Sequence, residues 1–109
     1  MVDLAQARDA RRLRELGERC TSVDESARRL LARLFQCGAI FTRQGSRLGR
    51  DLLLSHQHLL RAAALVGRAG DCDEGAPEEA DALYQEAAAL VDRSAQIVTR
   101  CEASCARGQ

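Results

Sequence analysis

From Ala27 to Val66 the apolar residues recur at intervals of three, four and seven: Leu30, Leu31, Leu34, Phe41, Leu48, Leu52, Leu59, Ala63 and Val66. Such intervals hold one stripe on a helix that turns about 100° per residue, and they destroy the alternation that a half-buried strand requires. The supply of residues points the same way. Aromatics make up 3% of the chain and Trp is absent, so a core has to be built from Leu, Ala, Val and Ile. Strands draw on aromatic and β-branched residues, which are scarce here. The pattern predicts an all-α fold, a three-helix antiparallel bundle or hairpin with a long central helix, in a single domain spanning 1–109.

Local signals set the expected boundaries. Leu13, Leu16 and Cys20 share a face of a first helix over about 3–20, and Thr21–Glu25 interrupts it. Ser22 followed by Glu25 three positions on has the form of a capping box, so a second helix is expected over about 23–68. It would be about 65 Å long if continuous. Gly38 and Gly45 both fall on the stripe, where they suit a close approach by another helix; a break at Gly45-Ser46 is the alternative, and a long helix, kinked at most, is the favoured expectation. The stretch from Gly70 to Pro77 holds the only Pro and reads as a loop. Pro77 suits a first helical turn, and Glu78, Glu79 and Asp81 complement the positive end of the helix that follows. That third helix, over about 77–104, repeats Ala80, Leu83, Ala87, Leu90/Val91, Val98 and Cys101. Fraying is expected near Cys105, leaving 105–109 as a flexible tail.

Net charge is zero, but its distribution is uneven. Residues 1–68 hold 13 Arg against 7 acids, and residues 69–109 hold 3 Arg against 9 acids. An acidic segment can dock on a basic one within the molecule, or leave a basic face for an acidic partner, and docking within the molecule is the favoured expectation. The basic segment has no interleaved aromatics and no binding motif, so nucleic acid is not expected as a partner. Five cysteines, Cys20, Cys37, Cys72, Cys101 and Cys105, form an odd set without a CxxC pair, which fits reduced thiols in the cytoplasm better than a disulfide framework. The N-terminus lacks a basic segment followed by an apolar run, and no stretch approaches the roughly 20 apolar residues of a membrane span.

Chemistry is hard to place on this chain. Cys101 and Cys105 stand one helical turn apart, but His56 and His58 face different sides of a helix, and the spacing matches no common zinc site. Asp71, Asp73 and Glu74 resemble a fragment of a calcium loop without its other ligands. There is no nucleophile elbow, no phosphate-binding Gly loop and no pair of acids in an apolar setting. No cofactor, no metal site and no enzymatic activity are expected.

Two stretches resemble known interaction elements. Ala62-Ala63-Ala64-Leu65-Val66, the acidic turn and Glu78-Glu79-Ala80-Asp81-Ala82-Leu83-Tyr84-Gln85-Glu86-Ala87 together resemble, over residues 59–98, the helical hairpin of microtubule-interacting and transport (MIT) domains and of tetratricopeptide units. In those hairpins small Ala residues pack under a neighbouring helix. The resemblance implies a three-helix module that accepts a partner's short helix in a groove, as in membrane-trafficking or autophagy machinery. Here the third helix would have to come from the N-terminal half. Leu13-Arg14-Glu15-Leu16-Gly17-Glu18 resembles the death-helix motif of apoptosis regulators, which docks in a hydrophobic groove, although Asp9 stands where that motif prefers an apolar anchor.

Function is expected to follow from surplus surface. Phe35, Ile40, Leu53, Leu54 and Leu60 lie off the main stripe and are the expected partner interface. The chain therefore reads as a non-enzymatic protein–protein interaction module, an adaptor or assembly subunit that binds partner helices or self-associates. The alternatives are an MIT-like binder of short helical motifs and a regulatory protein that presents its N-terminal amphipathic helix to a partner groove.

Overall fold

The computed structural model of the chain describes residues 4–71 and 77–107. Three helices follow in order: α1, Leu4–Gln36; α2, Arg43–Gly70; and α3, Pro77–Arg107, with a three-residue 3₁₀ turn, Ala39–Phe41, between the first two. The fold is an all-α three-helix bundle, and the described residues hold no strand. Cys72, Asp73 and Glu74, most of the expected loop, lie outside the described residues, as do Gly108 and Gln109.

Each helix carries an unbroken heptad seam. In α1 it is Leu13, Leu16, Cys20, Val23, Ala27, Leu30 and Leu34, all buried or half-buried. This seam corrects the expected break at Thr21–Glu25. Thr21 and Ser22 fall on the outer face, Thr21 Oγ1 donates back to the Gly17 carbonyl at 3.1 Å, and the helix runs through. A packed face outweighs a local capping preference.

The expected long central helix is also corrected, because the chain turns at Gly38 rather than at Gly45-Ser46. Gly38 has φ 75°, the left-handed conformation that ends helices. Its N–H donates to the Phe35 carbonyl at 3.2 Å, and that of Cys37 to the Arg33 carbonyl at 3.0 Å. Thr42 then opens α2, its Oγ1 accepting from the Gly45 N–H at 3.0 Å. Gly45 serves a close approach of the 3₁₀ turn rather than of another helix: a Cβ there would lie 1.7 Å from the Ala39 carbonyl oxygen. The longest helix is thus α1 at 33 residues, against 28 for α2. At the other end α3 continues through Cys105 to Arg107, beyond the expected fraying point.

Successive helices run antiparallel. Cys20 Sγ reaches the Leu59 carbonyl at 3.5 Å across α1 and α2, and Gln44 Nε2 donates to Ser104 Oγ at 3.1 Å across α2 and α3. The pairing of α2 with α3 is the most extensive. Its seam places small residues seven apart on both helices, Ser55, Ala62 and Ala69 facing Ala80, Ala87, Ser94 and Cys101, interleaved with Leu52, Leu59, Leu83, Leu90 and Ile97. Small side chains let two backbones approach, and the large ones fill the layers between.

Two apolar clusters result, one around Leu16, Leu59, Ala62, Leu83, Ala87 and Val91, the other around Ala27, Leu30, Leu34, Leu52, Val98 and Cys101. Between them Ser94 Oγ donates to the Ser55 carbonyl at 2.9 Å and Ser55 Oγ to the Ser94 carbonyl at 3.4 Å, with both serines fully buried. The whole is a rod, 56 × 17 × 17 Å, with a radius of gyration of 16.9 Å. A globular chain of this length has about 13 Å. Much of each helix therefore faces outward.

Candidate protein-binding surfaces

The outward face of α2 departs from what a bundle helix normally presents to water. With the core side marked by Leu52, Ser55, Leu59, Ala62 and Ala69, the positions on the opposite side are Leu53, Gln57, Leu60, Ala64 and Gly67. All five are exposed and none is charged. Leu53 and Leu60, seven apart on this line, are 56% and 58% exposed. Leu54 is exposed as well but sits on the flank of the stripe, in line with Arg50 and Arg61.

The second apolar surface is the corner between α1 and α2. Phe35, in the last turn of α1, is 57% exposed and Phe41, in the 3₁₀ turn, 86%. Of the five residues expected at an interface, four are exposed and Ile40 is not. Ile40 is half-buried against the second cluster, and its Cδ1 lies where a Cβ on Gly49 would be only 2.7 Å away, so it plugs the turn onto α2. Phe41, expected on the core stripe, takes the exposed place, because the chain reverses at Gly38 and the register of the stripe does not carry through the turn. Ala63 likewise lies outside the core. Thr42, a capping residue three positions before Gly45, was the sequence signal that could have located the turn.

Beside the corner opens a groove of about 720 Å³, lined among others by Arg33, Leu34, Cys37, Ala39, Leu48 and Cys105. It is bounded by the end of α1, the 3₁₀ turn, the start of α2 and the end of α3.

Charge is compensated unevenly along the rod. Three acids of α3 pair with arginines of the other helices: Arg12 with Asp81 at 3.8 Å, Arg19 with Asp92 at 2.6 Å and Arg61 with Glu86 at 3.1 Å. Arg12 also stacks its guanidinium 4.2 Å from the centre of the Tyr84 ring. The acidic segment does dock on the basic one, over the half of the rod away from the corner. At the corner end, no ion pair engages Arg33, Arg43, Arg47 or Arg50 among the described residues.

The residues weighed for metal binding are scattered or occupied. Cys101 is buried in the core, where burial, then Asp51 and Cys105, push its thiol up to about 11. His56 Nδ1 lies 2.9 Å from Asp24 Oδ1, and Arg28 Nε 2.9 Å from the other oxygen of that carboxylate. Burial, then Asp24, also raise the Cys20 thiol. Among the described residues no three His, Cys, Asp or Glu side chains converge as a metal site, and no helix is long and apolar enough to cross a membrane. Comparisons with family models, with curated proteins and with solved structures give no match to this chain.

Proposed function

We propose that the chain is a non-enzymatic protein-interaction module, an adaptor or assembly subunit, that receives a partner helix or a second copy of itself along the outward face of α2. The observation that carries this is the uncharged line Leu53, Gln57, Leu60, Ala64 and Gly67 opposite the core seam. A helix that only had to close a bundle would place charge there, and a helix with apolar residues on two opposite faces is built to be covered on both. Each leucine removed from water stabilises an association by about 1.5–3 kcal/mol, before the cost of ordering the partner. Ala64 and Gly67 let a second helix come close over the C-terminal part of the line.

The resemblance to MIT-type hairpins is compatible with this use. Ala62 and Ala87 are fully buried at the α2–α3 seam, Tyr84 lies half-buried beside Arg12 of α1, and α1 supplies a third helix from the N-terminal half. The free thiols of Cys20, Cys37, Cys101 and Cys105 suit a reducing, cytoplasmic setting.

Size-exclusion chromatography with light scattering, on the wild type and on Leu53→Glu/Leu60→Glu, tests the proposal. The wild type is expected to self-associate or to bind a partner, and the variant to be a folded monomer with at least about tenfold weaker association, corresponding to 1.4 kcal/mol or more. A variant that melts as the wild type does and associates equally well would sink the assignment of this face.

A further inference from the structure

We propose that the end of the rod formed by the α1–α2 corner and the C-terminus of α3 is a separate docking site, whose ligand is an acidic amphipathic helix of a protein partner. Three independent observations converge on that end.

The first is charge. From Ser26 to Arg50 the chain holds six arginines, Arg28, Arg29, Arg33, Arg43, Arg47 and Arg50, and no acid. Antiparallel packing brings Arg100 and Arg107 of α3 to the same end, against Asp51 and Glu102. Only Arg28 of these has an ion pair among the described residues, with Asp24, whereas Asp81, Glu86 and Asp92 of α3 pair with Arg12, Arg61 and Arg19 further along the rod.

The second is that the fold favours only some of these charges. Arg33 and Arg107 sit in the last turns of α1 and α3, where cations complement the negative end of a helix. Arg43 stands in the first turn of α2 and Arg47 in the second, at the positive end, where a cation is unfavourable, and the first turn holds no acid. The arrangement lowers stability, and a bound anionic partner would reverse the sign of that interaction.

The third is shape. Phe35 and Phe41 are exposed at the corner, and the groove beside it is lined by Leu34, Ala39 and Leu48 together with polar side chains, Arg33 being its one arginine. A groove partly lined by apolar residues takes side chains, which an amphipathic helix supplies at i, i+3 and i+4 while its flanks carry the acids. A lipid headgroup plane or a phosphodiester backbone satisfies the arginines but leaves the groove unfilled, so a protein helix fits the end better than either.

The site does not use the outward face of α2 and stands or falls apart from it. The test uses the full chain and a synthetic, fluorescein-labelled peptide of about four helical turns, with Leu at helical spacing and Glu elsewhere, followed by fluorescence anisotropy. A scrambled peptide of the same composition is the control. The ordered peptide is expected to bind and to weaken steeply with added salt, while the scrambled one binds at least about tenfold less tightly. Arg43→Glu/Arg47→Glu and, separately, Phe41→Ala should each weaken the ordered peptide severalfold, and Leu53→Glu/Leu60→Glu should leave it unchanged. Because the arginines oppose the helix dipole, Arg43→Glu/Arg47→Glu should melt at or above the wild-type temperature, which separates lost binding from lost fold. Absence of peptide binding, equal binding of the scrambled peptide, loss confined to the Leu53/Leu60 variant, or displacement of the peptide by phosphatidylserine vesicles or duplex DNA at lower charge concentration would each overturn the proposal.

Discussion

Gly45 and Gly17 both lie in helices, yet a methyl group added to them meets opposite surroundings. At Gly45 it would run into the Ala39 carbonyl, whereas at Gly17 nothing lies within 4 Å. Gly45→Ala is therefore expected to lower stability by about 2 kcal/mol or more, through a forced shift of the turn. Gly17→Ala should raise it by up to about 1 kcal/mol, because alanine is the better helix former. Chemical denaturation of the two variants checks both signs. Cys101 gives a second residue-scale expectation. Unfolded, its thiol titrates near the ordinary 9.0, but in the fold burial, then Asp51 and Cys105, hold its proton to about 11. Between those values the unfolded chain binds fewer protons than the native one, so stability falls as pH rises through that window and is flat below it. Cys20, raised by burial and then by Asp24, adds in the same direction. Melting temperatures of Cys101→Ala across pH 8–11 should show a shallower fall than the wild type. An unchanged slope would remove Cys101 from the account. That Gly45 suits a close approach was legible from its place on the stripe, but not which element crosses it, and the depths of the cysteines were not legible.

At the scale of elements, α3 could be read in advance and the division between α1 and α2 could not. Pro77 fixes the start of α3, and its seam runs from Ala80 to Cys101 with nothing that mimics a cap before Thr99. Ser22 and Glu25 do mimic one inside α1, and they lose because Val23 and Ala27 continue the buried face on either side. Gly38 and Gly45, seven apart on one stripe, look alike by spacing. What separates them is that Thr42 caps α2 through Gly45, so the left-handed turn has to fall before it. The error moved the expected interface little. Leu53, Leu54 and Leu60 lie within α2 whichever way it begins, while Ile40 and Phe41 exchange places because they lie in the turn itself. The seam of α3 gives the corresponding stability test. Ala87→Asp puts an unpaired carboxylate at a fully buried contact with α2 and should abolish cooperative melting at neutral pH. Glu78→Ala, at the exposed start of the helix, should change stability by less than about 1 kcal/mol. Cooperative melting of Ala87→Asp near the wild-type temperature would mean that the seam is not packed as described.

On the scale of the whole molecule the three helices are not equal partners. The closest seam, with its facing small residues and the buried Ser55–Ser94 pair, joins α2 to α3, and α1 pairs less extensively with either. The described N-terminal half of α1 contributes only Leu16 as a fully covered apolar side chain, with Leu13 and Cys20 half-covered. Its ties to α3, Arg12–Asp81 and Arg19–Asp92, join partly exposed groups that contribute at most about 1 kcal/mol each. A rod also lacks the central core by which a globular bundle couples its parts, so opening one segment costs only the contacts along that segment. Residues 8–20 of α1 should therefore open before the rest. Native-state hydrogen exchange is expected to show their amides exchanging at least about tenfold faster than those of 52–65 in α2 and 87–98 in α3, a gap of 1.4 kcal/mol or more. Raising the salt concentration should widen the gap by screening the two ion pairs, while the α2–α3 seam, held by apolar contacts and serine hydrogen bonds, should respond little. If the gap appears, the segment that opens is the one containing Leu13-Arg14-Glu15-Leu16-Gly17-Glu18, and its release would uncover Leu59 and Ala62 of α2 beneath it. Uniform protection across all three helices would instead show α1 locked to the hairpin, and would confine partner binding to surfaces already exposed, the outward line of α2 and the corner.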